Sequence, residues 1–270
     1  MSKNRHYYHI VNPSPWPLIS AFSLFNSLTG IILFFNAKSI GILISIFGFI
    51  YLVFSVYFWF SDIIREGTFE GKHTLIVQRG LKLGMILFIV SEVMFFFSFF
   101  WAYFHFSLSP AIEIGCLWPP YGIQVFNYLH VPLYNTIVLL LSGVCVTWTH
   151  NEILKKKIVN KFNANFSLLL TLILACHFTY WQFIEYLSAS FNISDSVYGS
   201  IFFMATGFHG FHVIIGTIFL TISWIRLMKF HFMKQQHLGL EMAIWYWHFV
   251  DVVWLFLFIT VYCWGSNIIS

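Results

Sequence analysis

The chain has 270 residues, of which 59% are hydrophobic and only 9% charged, and its mean hydropathy is +0.78. About a quarter of the residues of a soluble globular domain are charged, so a soluble protein of this composition could not cover its surface. The net charge of +4 gives no argument for nucleic-acid binding, because the basic residues lie between apolar stretches. The composition therefore predicts an integral membrane protein.

Seven apolar stretches follow one another along the chain, and each is close to or above the roughly 20 residues that a membrane-spanning helix needs. Lipid cannot satisfy open backbone groups, so every stretch is predicted to be helical. The predicted spans are 16–35, 40–60, 75–106, 132–150, 164–186, 198–228 and 239–264. We therefore expect an all-α membrane protein with a single membrane domain, 1–270, in which 1–74 holds helices I and II and 75–270 holds helices III to VII.

The Lys and Arg residues predict the orientation of these spans. With seven spans, thirteen of the fourteen cationic residues fall on the side that holds the N-terminus, and only Lys38 falls on the other. The positive-inside rule then places the N-terminus in the matrix or cytoplasm and the C-terminus on the opposite side. The thirteen are Lys3, Arg5, Arg65, Lys72, Arg79, Lys82, Lys155, Lys156, Lys157, Lys161, Arg226, Lys229 and Lys234.

One carboxyl group lies deep in the third span. Glu92 follows "FIVS" and precedes "VMFFFSFFWAYFHF", and no cation on its own helix can pair with it. Burial in hydrocarbon favours the protonated acid, and intramembrane ionisable groups are candidates for function. Two interpretations stay open: a neutral structural carboxyl bonded to a group on another span, or a carboxyl that exchanges protons.

The histidines and cysteines are candidate metal or haem ligands. His209 and His212 are three residues apart on one helical face, yet no third ligand and no HExxH motif accompany them. His105, His177 and His248 on other spans do not repeat a paired spacing that would suit a haem. Cys116, Cys145, Cys176 and Cys263 form no CxxC pair, so they are predicted to be packing thiols. We predict no catalytic and no metal-binding residue.

Two further polar features lie in the last three spans. His248 and Asp251 are three residues apart, and Trp247 and Asp251 four apart, so the imidazole or an indole N–H can satisfy the carboxylate locally. The sequence predicts an intramembrane polar pair, His248 and Asp251. Glu185, near the end of the fifth span, is expected to be interfacial.

Charged residues crowd at the membrane edge on the side of the N-terminus. The segment "DIIREGTFEGKHT" (62–74) and the segment "RLMKFHF" (226–232) both supply cations at a depth where lipid phosphates lie. They indicate either solvated charge that sets the orientation or headgroup sites for tightly held phospholipid.

Several motifs in order along the chain resemble the cytochrome c oxidase subunit III family. They are "VNPSPWPL" (11–18), "DIIREGTFEGKHT" (62–74), "GLKLGMILFIVSEVMFFFSFFWAYFH" (80–105), "WPPYGI" (118–123), "VYGSIFFMATGFHGFHVIIGTIFL" (197–220), "MKFHF" (228–232) and "AIWYWHFVDVVWLFLF" (243–258). The resemblance implies helices arranged as two plus five around a V-shaped cleft that holds lipid. It implies lipid contacts for Arg65, Glu66, His73, His212, Arg226, Lys229 and His231, and a proton-handling or structural role for Glu92.

The same resemblance implies a role in a larger assembly. The chain would be a core subunit of mitochondrial cytochrome c oxidase, respiratory complex IV, which transfers electrons from cytochrome c to oxygen and pumps protons. It would carry no haem or copper itself, since neighbouring subunits hold them, and it would bind phospholipid. The expected partners are subunit I as the main contact, subunit II, accessory subunits and a respiratory supercomplex, with no nucleic acid. The expected location is the mitochondrial inner membrane, with a bacterial plasma membrane as the alternative.

Two other functions are alternatives to this one. A secondary transporter would use Glu92, Asp251 and the intramembrane histidines, but the sequence lacks the inverted repeat and broken helices of many transporters. A membrane metalloenzyme would use His209 and His212 as ligands. Flux through the isolated chain, or metal bound to it, would identify the first or the second alternative respectively.

Overall fold

The fold, a computed structural model, is described for residues 7–155, 161–234 and 236–265. Within these ranges it contains seven helices long and apolar enough to cross a membrane, and no β-strand. The prediction of an all-α membrane protein with seven spans is confirmed. The helices are α1 (Trp16–Phe35), α2 (Ile40–Thr68), α3 (Leu75–Leu108), α4 (Val131–Leu154), α5 (Lys161–Ser188), α6 (Val197–Met228) and α7 (Leu238–Leu257).

The helices overlap the predicted spans closely, and several of them are longer than predicted. At 1.5 Å per residue, the 34 residues of α3 extend about 50 Å, well beyond ~30 Å of hydrocarbon. A π-helical segment, Phe258–Trp264, continues α7, so that the last span runs from Leu238 to Trp264. A short 3₁₀ turn, Ile112–Ile114, lies in the connection between α3 and α4. Of the cations used to predict the orientation, Lys3, Arg5, Lys156 and Lys157 lie outside the described residues.

Contacts divide the chain into two compact units, one ending at Leu81 and the other beginning at Lys82. In the first unit, α1 and α2 pack through small side chains, the feature that allows membrane helices to approach closely. A Cβ atom added at Gly48 would lie 2.5 Å from the Ser27 backbone nitrogen, so only glycine fits there. Ser20 and Ser55 add a hydroxyl–hydroxyl hydrogen bond of 2.9 Å between the two helices.

In the second unit, hydrogen bonds between buried side chains tie α4 to its neighbours. The indole Nε1 of Trp247 donates to Ser142 Oγ at 2.9 Å, and that of Trp254 donates to Thr136 Oγ1 at 2.9 Å. On the other side of α4, the Thr149 and Ser167 hydroxyls are 2.8 Å apart. These bonds fix α4 between α5 and α7, around a core of buried aromatic and aliphatic side chains.

Candidate functional site

The centre of the candidate site is a carboxyl–imidazole pair between α3 and α6. Glu92 Oε2 and His212 Nε2 are 2.7 Å apart, and the other ring nitrogen of His212, Nδ1, lies 2.6 Å from the Phe208 carbonyl oxygen. The Glu92 side chain is 23% exposed and that of His212 9%. The partner of Glu92 therefore comes from another span, as the absence of a cation on its own helix requires.

The hydrogen bonds of His212 determine how many protons the pair holds. A carbonyl oxygen only accepts, so Nδ1 must carry a hydrogen. In a neutral imidazole Nε2 is then an acceptor, and Glu92 must be the protonated acid that donates to it. If Nε2 also carries a hydrogen, the ring is an imidazolium and Glu92 a carboxylate. In both cases the pair has no net charge, which reduces the cost of placing it in a membrane.

Aromatic rings surround this pair. The His212 ring lies 5.0 Å from the ring of Phe96 and 6.4 Å from that of Tyr246, measured between centroids. Phe95 contacts Phe208 edge to face at 4.9 Å, directly beside the carbonyl that His212 binds. The rings limit the hydrogen-bonding groups available to the pair, and so strengthen the interaction between its two members.

His209 lies on the same helix but faces a different part of the unit. It is 1% exposed, its Nε2 lies 3.2 Å from the Val250 carbonyl oxygen, and its ring is tilted against Trp254 at 5.1 Å. The two histidines three residues apart thus have separate partners. Within the described ranges, no group of three or more His, Cys, Asp or Glu side chains is arranged to hold a metal ion.

A second polar group lies between α4 and α7. His248 Nδ1 is 3.6 Å from Asp251 Oδ2, and His248 Nε2 is 3.3 Å from Thr147 Oγ1 on α4. Asp251 is 6% exposed, and a Cβ added at Gly143 would lie 2.5 Å from its Oδ2. Trp247, the other donor considered for Asp251, donates to Ser142 instead.

Glu185, which is expected to be interfacial, is buried within the second unit. Glu185 is only 1% exposed, and Tyr262, in the π-helical segment, donates its hydroxyl hydrogen to Glu185 Oε1 at 2.7 Å. The C-terminal end of the last span covers this carboxyl group near the end of α5. The tyrosine is 77 residues away in sequence, so no local pattern could reveal the pair.

In the first unit, the charged residues in the last turn of α2 and just after it form one network. Glu70 accepts from Lys72 at 2.6 Å and from Arg65 at 3.1 Å, while Glu66 lies 3.7 Å from His9. The hydrogen bond from Lys72, helped by the charges of Lys72 and Arg65, lowers the pKa of Glu70 below its ordinary value. The Arg65 side chain stays 64% exposed, so its guanidinium remains accessible.

His73 lies against the same network. Its ring is 5.9 Å from that of His9, and its side chain occupies the space beside Gly67, where a Cβ would lie 2.7 Å from His73 Nδ1. The structure therefore brings Arg65, Glu66 and His73 together at one end of the first unit.

In the second unit, the end of α6 carries the other basic group. The Arg226 guanidinium carbon lies 4.6 Å from the centre of the Phe232 ring, a cation–π contact. Partial burial lowers the pKa of His231, and the positive charges of Arg226 and Lys229 lower it further. His231 is thus favoured as a neutral hydrogen-bonding group at neutral pH, and the two other residues carry the charge.

The fold defines the class of protein: it is a polytopic helical membrane protein. Two of its acids contact polar rings of other spans, Glu92 an imidazole and Glu185 a phenol. Residues 6–266 match the family model described as Cytochrome c oxidase subunit III. The chain belongs to the cytochrome c oxidase subunit III family.

Relatives named cytochrome c oxidase subunit 3 align with almost the whole chain. That of Prototheca wickerhamii is 55% identical over 262 residues, which cover 97% of this chain and 99% of the relative. That of Mus musculus is 53% identical over 266 residues, 98% of this chain and 100% of the relative. That of Arabidopsis thaliana is 51% identical over 266 residues, 98% of this chain and 99% of the relative.

Proposed function

We propose that this chain is a core subunit of mitochondrial cytochrome c oxidase, respiratory complex IV, a multi-pass protein of the inner membrane. The family match over residues 6–266 is the observation that carries the proposal. The oxidase transfers electrons from cytochrome c to oxygen and pumps protons. In this assignment the haem and copper belong to neighbouring subunits, and this chain stabilises the assembly and binds phospholipid.

The proposed phospholipid contacts are the two basic groups. Arg65, with Glu66 and His73, presents an exposed guanidinium beside its ion-pair network, and Arg226, Lys229 and His231 gather where α6 ends. Guanidinium and ammonium groups attract lipid phosphates at this depth. His212 was predicted to join them, but both its ring nitrogens face protein oxygens, so a lipid would contact only its ring carbons. The two-plus-five arrangement and the V-shaped cleft remain part of this proposal.

For Glu92 we propose a structural role that also permits proton exchange. The pair with His212 holds one proton between two atoms 2.7 Å apart, so that proton can move within the pair without creating net charge. Support for proton uptake would require exchange of this proton with water at the matrix side. The Phe-rich surroundings of Glu92 favour the structural role at rest.

The proposed orientation and partners complete the assignment. The excess of Lys and Arg supports an N-terminus in the matrix and a C-terminus in the intermembrane space. We propose subunit I as the main contact, with subunit II, accessory subunits and a respiratory supercomplex as further partners.

Co-purification tests the assignment. An affinity tag on this chain should recover a complex with the reduced-minus-oxidised spectrum of haem a, and that complex should consume oxygen when given reduced cytochrome c. Recovery of the chain without haem would contradict the proposal, and substrate flux through the isolated chain in liposomes would favour a transporter.

Lipid binding has a separate test in the purified oxidase. Arg65→Gln and Arg226→Gln should each lower the amount of retained phospholipid measured by mass spectrometry. Lys38→Gln is the matched control, because it removes the one cation predicted on the opposite side. Unchanged lipid content in both arginine variants would contradict the headgroup sites.

A further inference from the structure

An outward-facing row of side chains on α7 contains one polar residue. His248 and Val252 are one helical turn apart, and Phe256 follows at the same spacing. Val252 and Phe256 are 50% and 57% exposed, and the His248 side chain is 43% exposed. On α4, Val144 is 66% exposed next to Gly143, which lies against Asp251. We call His248, Val252, Phe256 and Val144 the α4–α7 face.

The polar residue lies at the depth where lipid tolerates it least. Asp251 is the central residue of the span Leu238–Trp264, and His248 is one turn from it. Lipid headgroups are then about 15 Å away, half the ~30 Å hydrocarbon thickness. Acyl chains offer no hydrogen bond, so an imidazole exposed to them loses its polar interactions.

The hydrogen bonds of His248 and Asp251 are also incompletely satisfied within the part of the chain that the structure describes. Thr147 uses its hydroxyl hydrogen on the Gly143 carbonyl oxygen at 2.9 Å, so it can only accept from His248 Nε2. His248 Nδ1 stands 3.6 Å from Asp251 Oδ2, longer than a hydrogen bond. Asp251 Oδ1 is buried and receives no hydrogen bond from the residues that the structure describes. A group from outside this face would complete the arrangement.

We propose that the α4–α7 face is the docking surface for a transmembrane helix of another oxidase subunit, one that presents a hydrogen-bonding side chain to His248. A segment of another subunit that reaches this depth is a helix, since backbone groups must be satisfied internally in hydrocarbon. The small side chains of Val144 and Val252 allow another helix to pack closely against the face. Intramembrane histidines usually form hydrogen bonds with polar side chains of neighbouring helices. This inference rests on the proposed function and adds the surface and chemistry of the contact.

A cryo-electron microscopy map of the purified, haem-containing oxidase tests the occupant directly. We expect a hydrogen-bonding side chain of another subunit within about 3.2 Å of His248 Nδ1, the ring nitrogen that has no hydrogen bond among the residues that the structure describes. Acyl chains against His248, or α1 or α2 of this same chain covering it, would overturn the inference. Because haem recovery is scored separately, that result would leave the proposed function intact.

A substitution on the same face provides the second test. When the oxidase is captured through a tag on a haem-bearing subunit, Val252→Trp should lower the amount of this chain recovered per haem at least about fivefold, the effect of roughly 1 kcal/mol of overpacking. Val252→Leu and Ile173→Trp, the latter on an exposed position of α5, serve as controls and should retain the chain. Recovery of Val252→Trp equal to that of both controls would overturn the inference, provided that each variant accumulates in the membrane to the same level.

Discussion

Replacement of Glu92 by alanine should destabilise the second unit, because it leaves His212 Nε2 without a partner. The lost hydrogen bond is 2.7 Å long, and the histidine side chain is only 9% exposed. An unsatisfied buried polar group costs about 1–3 kcal/mol in soluble proteins, whereas hydrogen bonds between membrane helices average about 0.6 kcal/mol. The expected loss is therefore about 1 kcal/mol, near the lower end of the first range.

Glu92→Gln separates the hydrogen bond from the acid. The Gln amide N–H can donate to Nε2 of the neutral imidazole, so we expect this variant to lose less than about 0.5 kcal/mol. The neighbouring Ser91→Ala is the control, since Ser91 Oγ donates to the Phe88 carbonyl oxygen of its own helix. Thermal unfolding of the purified oxidase should give midpoints in the order wild type, Gln, Ala.

Infrared spectroscopy locates the proton of the same pair. If Glu92 is the protonated acid, as the sequence predicts, the wild-type oxidase should show a carboxylic-acid carbonyl band that Glu92→Gln lacks. Absence of that band in the wild type would place the proton on His212. An alanine variant as stable as the wild type would refute the reasoning about the hydrogen bond.

Three further predictions concern packing and charge. Gly48→Ala should destabilise the α1–α2 pair by about 1–3 kcal/mol, because its Cβ would overlap the backbone of the facing helix, and a lower thermal midpoint should report it. Trp247→Phe should cost a similar ~1–3 kcal/mol, since it removes the buried hydrogen bond to Ser142 and leaves a cavity, whereas a midpoint unchanged from wild type would contradict this. Lys72→Gln should lower the midpoint at neutral pH, and its difference from wild type should vanish as the pH falls through the lowered pKa of Glu70, where the protonated acid no longer pairs. A difference that persists in acid would exclude the ion pair as its cause.

The spans could be predicted from sequence because a membrane helix depends on local composition. Continuous apolar stretches between charged loops fixed all seven, and the structure extends α2 and α4 by only a turn or two at their ends. The pairing of intramembrane side chains could not be predicted in the same way. His212 meets Glu92 across 120 residues, and Tyr262 meets Glu185 across 77, so their contacts depend on how helices pack.

The spacing of residues along one helix had limited value for the candidate site. His209 and His212 share a helical face in sequence, yet one binds a carbonyl of α7 and the other a carboxyl of α3. The position of Glu185 along α5 likewise gives no sign that the last span buries its side chain. The family motifs, in contrast, indicated the family itself, since they recur in order over nearly the whole chain.

The distribution of haem and copper between this chain and the rest of the oxidase distinguishes a metal-free subunit from a metal-binding one. The tagged complex is purified, the chain is separated from the other subunits in detergent, and haem and copper are measured in both fractions. All haem and copper should remain with the other subunits, and this chain should carry neither. Stoichiometric haem or copper in the separated chain, or a tagged complex that contains no haem at all, would contradict it.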